Sequence, residues 1–363
     1  MKQIIQHPSA VIEHEYVERL RKYASVAEEK GMLLPEQLDV IYSEQWFKLL
    51  APAAYGGLEV TLPDLVRLQE AVSWTDGSIG WVLTLCCGAG WFGGFISPDT
   101  AREVFRNPKV CLAGSGASNG EAEITENGYR INGTWKHASG AHHATHFTAN
   151  CLIKKDGERV LNHDGGPLVL PFIIDQKDVT LLQTWKYVGM VATGSQSFQV
   201  KDVEVSNNRC FKIGPRHAQV NARLYQYPFL QLAEATLAVN LSGMAIHFAD
   251  LCRDVFRERK QQPRLTENNK AKLEQVLQNA IVGLQSARND FFAAVDASWQ
   301  NPGDAELKAV SKTSRHLAIT AREAVDQLYP YCGLIAASPD TEINQVWRDI
   351  HTAGQHSLLT FAE

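Results

Sequence analysis

Hydrophobic and polar positions follow three different rhythms along this chain. From about residue 13 to 108 the rhythm is helical. Pro35 opens a segment with Leu38, Ile41, Tyr42 and Trp46 at helical spacing, and Tyr55-Gly56-Gly57 breaks it. Pro63 opens another through Leu65, Leu68 and Val72. Proline suits a first turn, where its missing N–H has no helical partner. Asp76-Gly77-Ser78 starts a strongly apolar helix carrying Trp81 and Leu85. From about 110 to 215 the rhythm shortens. Ile124-Thr125-Glu126 and Tyr129-Arg130-Ile131 flank Asn127-Gly128, a pair suited to the positive φ values of a two-residue hairpin turn. Residues 147–153, 168–174, 179–184 and 197–205 also read as strands. No long helix lies between them, which predicts an antiparallel sheet or barrel and not βαβ units. Beyond residue 227 the helical rhythm returns. Leu273, Val276, Leu277, Ala280, Ile281, Leu284 and Ala287 form one apolar stripe. Pro302-Gly303 ends that helix, a third runs over about 304–328, and a fourth begins after Pro339. Long helices with short links predict a four-helix bundle. The expected fold is mostly α with a central β domain: an N-terminal helical domain (1–109), a middle antiparallel sheet (110–215) and a C-terminal bundle (216–363).

Composition narrows the partners. The 363 residues suffice for two or three structural units at about 100–200 residues each. The formal charge of -5 implies no basic face for nucleic acid and argues against anionic membrane surfaces. The 7 cysteines are odd in number and form no Cys-x-x-Cys, which fits reduced thiols in a cytoplasm. The first twenty residues have no apolar core of a signal peptide. The apolar run over 80–96 is too short and too rich in glycine for a confident membrane span.

Several motifs have plain structural readings. Gly88-x-Gly90-x-x-Gly93 matches a dinucleotide fingerprint by letter, but a helical segment precedes it where a strand is needed. It reads better as a glycine-lined turn. His142, His143 and His146 cluster without a nearby acidic or thiol ligand, so no metal site is expected. Neither a nucleophile elbow nor a Walker A motif is present.

Other segments carry chemistry together. Pro52-Ala53-Ala54-Tyr55-Gly56-Gly57, Asp76 to Trp81, Trp135 to Gly140, Trp185 to Met190 with Thr193-Gly194-Ser195, Tyr331-Cys332-Gly333 and Arg348-Asp349 occur in that order. In content and order they resemble the acyl-CoA dehydrogenase superfamily over nearly the whole chain. Those dehydrogenases commonly carry a glutamate base shortly after the Arg-Asp pair. Here Ile350 to Ser357 follows, and no carboxylate occurs before Glu363. The tail Trp347-Arg348-Asp349-Ile350-His351 with His356, and Ala138-Ser139-Gly140, are more similar to the two-component flavin monooxygenases of the same fold, of the hydroxyphenylacetate, secosteroid and dibenzothiophene type.

That resemblance implies a flavin, FAD or FMN, supplied reduced by a separate reductase, a small organic substrate, and a homotetramer built from dimers. It implies catalytic roles for Ser139, hydrogen-bonded near flavin N5 to steady a flavin hydroperoxide, and for His356 as base or proton relay. Gly114, Ser115, Trp135, His137, Ala138 and Gly333 would contact the flavin, with Trp135 walling in its ring. Arg257 and Arg259 would supply phosphate contacts. One departure concerns substrate. Where several phenol hydroxylases place a substrate-binding histidine, this chain has Cys86-Cys87-Gly88-Ala89-Gly90, which argues against a phenol. Two alternatives remain: an acyl-CoA dehydrogenase with a relocated base, and an inactive relative that only binds a ligand.

Overall fold

The computed structural model describes residues 5–361. Six helices lead: α1 (His14–Lys22), α2 (Ala24–Lys30), α3 (Pro35–Ser43), α4 (Leu62–Thr75), α5 (Gly77–Gly90) and α6 (Pro98–Phe105). Seven strands follow: β1 (Leu112–Thr125), β2 (Gly128–Ala138), β3 (His146–Lys155), β4 (Glu158–Arg159), β5 (Val169–Asp175), β6 (Thr180–Leu182) and β7 (Gln196–Ser206). Then come α7 (Arg223–Gln226), the long α8 (Phe229–Lys260), α9 (Glu267–Gln300) and α10 (Asp304–Cys332), and finally α11 (Glu342–Ala353) and α12 (Ser357–Thr360).

Local chemistry sets these boundaries. Thr61 caps α4 by accepting the Asp64 N–H, and Asp76 caps α5 by accepting the Ile79 N–H at 2.8 Å. The fingerprint-like glycines fall inside α5 and the 3-10 turn after it. A side chain at Gly93 would strike Phe105 and Pro52, and one at Gly94 would strike Tyr225. Gly93 and Gly94 are packing glycines, whereas Gly88 has open space before it.

The strand order is β4-β3-β1-β2-β7-β6, with β5 also paired to β3. The sheet is mixed, which corrects the antiparallel expectation. After β2 the chain turns through residues 139–145 and crosses to the other side of β1, so β3 enters in the same direction and pairs parallel to it. The hairpin turn also sits one residue earlier than predicted. Thr125 pairs with Gly128, which leaves Glu126 and Asn127 in the turn, and neither has a positive φ. Gly128 is needed for a different reason: a Cβ there would lie 2.0 Å from the Val205 carbonyl oxygen.

The helices share one apolar core that runs through both ends of the chain, while the sheet has its own. Gly243 lets α8 press against α4, because a side chain there would meet the Glu70 carbonyl at 2.4 Å. A buried ion pair crosses the same junction. Arg288 of α9 reaches both carboxylate oxygens of Glu70 on α4, at 2.8 and 2.7 Å, and Ser242 of α8 donates to it at 2.5 Å. By length and apolarity α8 could cross a membrane, but 78% of its apolar window is buried against the rest of the protein.

Candidate active site

A cleft of about 290 Å³ lies between the sheet and the helices. Gly114, Ser115 and Thr148 form its sheet wall, Thr84 and Leu85 of α5 and Leu232 of α8 face them, and His356 closes one side. The sheet wall is shaped by an irregularity. Ser115 pairs with Ala149 and Gly120 with Cys151, so five steps along β1 match two along β3. Three surplus residues of β1 therefore bulge out beside the cleft. Gly114 is required where the strands close up, because a Cβ there would lie 2.0 Å from Thr148 Oγ1.

His356 stands between α11 and α12, half-buried. Its Nδ1 accepts the Leu358 N–H at 3.3 Å, so the neutral ring carries its proton on Nε2. Burial lowers its pKa and favours that neutral form. The ring meets Trp81 edge-on at 6.0 Å.

Trp81 links His356 to Ser139. Its indole N–H donates to Ser139 Oγ at 3.1 Å. Ser139 is buried and shares a hydrogen bond with Ser195 Oγ at 2.8 Å; Ser195 shares one with Thr193 Oγ1 at 2.7 Å; Thr193 donates to the Met190 carbonyl at 2.6 Å. The direction is fixed from both ends. A carbonyl only accepts and an indole N–H only donates. Thr193 must therefore accept from Ser195, and Ser195 from Ser139. Each hydroxyl proton points inward, and Ser139 is left with acceptor capacity.

The Arg-Asp pair clamps this region. Asp349 is buried and accepts the Met190 N–H at 2.5 Å, while Arg348 donates to the Val188 carbonyl at 2.7 Å and pairs with Glu28. Burial, with the Asp76 carboxylate adding to it, holds the Asp349 carboxyl well above its usual range. A larger, mixed-charge recess of about 1100 Å³ involves Arg21, Glu28, Glu342 and Arg348. Its Arg348–Glu28 pair is already self-satisfied.

The sequence-predicted residues thus divide. Gly114, Ser115 and His356 converge on one cleft, and Ser139 joins through Trp81. The side chain of Trp135 does not wall in a ring. It is fully buried in the sheet core, lies over the paired Gly120 and Gly133, stacks on Phe198 at 5.0 Å and donates to the Asn150 carbonyl at 3.1 Å. The two glycines leave room for the indole, and that room draws it inward. A bulge follows: three steps from Trp135 to Ala138 match two from Phe198 to Gln196, with His137 at φ 63°. Ala138 is buried in the sheet core, and His137 points outward to Trp185 and the Tyr187 hydroxyl, 3.2 Å from its Nε2. Arg259 donates to the Tyr331 carbonyl and lies beside Gly333, while Arg257 is exposed and paired with Asp254. From Leu237 in the cleft to Arg257 is roughly 30 Å along α8, at 1.5 Å per residue. Trp81, Ser195 and Thr193 were missed as site residues, although their motifs were visible. Their roles depend on a contact across 58 residues and on a hydroxyl chain that no local pattern announces.

A cleft between a mixed β-sheet and a bundle of long helices defines the acyl-CoA dehydrogenase fold, and residues 235–361 match the family model described as acyl-CoA dehydrogenase, C-terminal domain. The family match thus covers the C-terminal third of the chain, and the relatives that align along nearly all of it include hydroxylases and flavin-dependent monooxygenases. It is 26% identical over 364 residues to the pigment production hydroxylase of Rhodococcus sp. (strain ATCC 21145), covering 95% of this chain and 91% of that one. It is 24% identical over 363 residues to oxygenase subunit HsaA of the flavin-dependent monooxygenase of Rhodococcus jostii (strain RHA1), covering 93% and 91%. In structure it is similar to XiaF from Streptomyces sp., solved with FADH2 and glycerol, at a TM-score of 0.81 and 20% identity over 95% of this chain and 91% of that one.

Proposed function

We propose that this chain is the oxygenase component of a two-component flavin monooxygenase, using reduced flavin from a separate reductase and O2 to oxygenate a small organic substrate. The carrying observation is the cleft that joins the Gly114–Ser115 wall to His356 and, through Trp81, to Ser139. No Asp or Glu is among the described residues lining it. A dehydrogenase needs a carboxylate there to remove an α-proton, so the acyl-CoA reading loses its base.

The cleft suits a flat ring. The bound flavin, FAD or FMN, supplies the oxygen chemistry, while the protein orients and shields it. Ser139, in reach of flavin N5 by family resemblance, offers a lone pair. That suits the N5–H of reduced flavin better than the bare N5 of the oxidised form. His356 offers an Nε2 proton inside the site and takes one at Nδ1 when the Leu358 contact opens. The apolar walls exclude water, which an oxygen-reactive flavin requires. Arg257, Arg259 and Gly333 lie too far along α8 and α10 to serve the same cleft. We assign them to the flavin phosphate of a second copy, in a cytoplasmic homotetramer built from dimers.

Anaerobically reduced FMN or FAD mixed with O2 tests the reading. The expected result is rapid oxygen uptake with delayed flavin reoxidation, and no flavin bleaching by acyl-CoA. Reoxidation at the rate of free flavin, with or without protein, would overturn it.

A further inference from the structure

We propose that the substrate is an uncharged, largely apolar ring compound with one hydrogen-bonding group, and that Thr84 recognises that group. The inference rests on the oxygenase reading and sharpens it to a substrate class.

Charge limits what the cleft admits. Among the described lining residues there is no Lys, Arg, Asp or Glu. His356 is the one titratable group, and burial keeps it neutral. A carboxylate or phosphate entering the cleft would lose its water and find no counter-charge, which is strongly unfavourable. The helix wall is apolar, with Leu85, Ala89, Phe92, Leu232 and Leu237, and Phe229 and Ile213 stand partly exposed at the edge.

Hydrogen bonding sets one lining residue apart. Thr236 spends its hydroxyl on the Leu232 and Ala233 carbonyls at 3.0 and 3.1 Å. Asn150 gives its amide to the Gly116 carbonyl at 2.9 Å, Ser115 accepts the Ala117 N–H at 3.4 Å, and Thr148 reaches the Ala113 carbonyl at 3.4 Å. Thr84 is different. It lines the cleft and is 4% exposed, and its Oγ1, shut off from the open space in this rotamer, has no partner; a χ1 turn that exchanges hydroxyl and methyl brings it to a ligand. An orphaned buried hydroxyl is unfavourable unless a ligand completes it. Thr84 stands on α5, opposite the Gly114–Ser115 wall. A flavin ring on the sheet side leaves the helix side, and this hydroxyl, to the substrate.

The test uses protein saturated with reduced flavin under argon and three probes of similar shape: indole, indene and indole-3-carboxylate. Equilibrium dialysis should rank indole tightest, with the carboxylate at least tenfold weaker. Thr84→Val should weaken indole about tenfold, the size of one lost hydrogen bond, and leave indene and reduced flavin unchanged. Thr84→Ser should restore indole binding, and unchanged melting of both variants would show intact folding. The proposal is overturned if the carboxylate binds as well as indole, if Thr84→Val weakens indole and indene equally or acts on flavin instead, or if no probe binds the flavin-loaded protein. Failure of the wild-type protein to bind reduced flavin would be a separate result, striking the oxygenase reading itself.

Discussion

Among single residues, two side chains acquire their properties from neighbours. His356 is a donor in its resting state because the Leu358 N–H occupies Nδ1. We expect His356→Ala to lower turnover at least a hundredfold, as loss of positioned proton transfer commonly does, with flavin affinity changed less than threefold. Equal loss of both, by steady-state rate and flavin titration, would make the histidine structural. Ser139 keeps acceptor capacity because Ser195 and Thr193 draw its proton inward. Ser195→Ala frees that proton, so the preference for reduced over oxidised flavin should fall about threefold to tenfold. An unchanged ratio of dissociation constants would show that the hydroxyl chain does not set the polarity. Ser139→Ala removes the contact altogether and should raise the hydrogen peroxide yield from reduced flavin and O2; an unaltered yield would remove Ser139 from the mechanism. Sequence made Ser139 and His356 nameable because motif order carried them. It misplaced Trp135, because strand alternation says nothing about a bulge or about which glycine pair will receive an indole.

Among elements, the α4–α8–α9 junction holds the helical core together. Arg288 and Glu70 are both almost fully buried there. Arg288→Met should destabilise by about 3–5 kcal/mol, since it strands a buried carboxylate. Adding Glu70→Leu should recover most of that loss. If the double variant is no more stable than the single one by denaturant titration, the pair is not the source of the effect. Element types and most boundaries were legible from periodicity and caps: proline and aspartate mark the starts of α4 and α5, and Pro302-Gly303 separates α9 from α10. The parallel β1–β3 pairing was not legible. Periodicity reports which residues face a core, whereas strand direction is decided by where the connection crosses.

For the whole molecule, acid should act through histidines held neutral. Burial lowers the pKa of His142, His146, His247 and His356, and that of His143 to about 4. An unfolded histidine near 6.5 binds protons that the folded one refuses, so stability present above 6.5 is lost as pH falls from there toward 4. Asp349 and Asp76 work the other way, and for Asp76 the window is explicit. Burial raises it to about 6, so the folded state takes up its proton first and gains stability as pH falls from 6 toward 3.8. With more histidines than such acids, the melting temperature should drop below pH 6.5. Asp76→Asn keeps an oxygen for the Ile79 cap and should steepen the drop. A melting temperature that stays flat from pH 7 to 4.5 would contradict this balance.

The surplus residues of β1 have a longer reach than their number suggests. Because they stand outside the ladder, a relative could gain or lose one there without shifting either strand's pairing. The rim of the cleft can therefore be retailored by insertion and deletion while the sheet beneath stays constant. Laboratory evolution of altered specificity has a natural starting point in the four positions from Gly116 to Asn119.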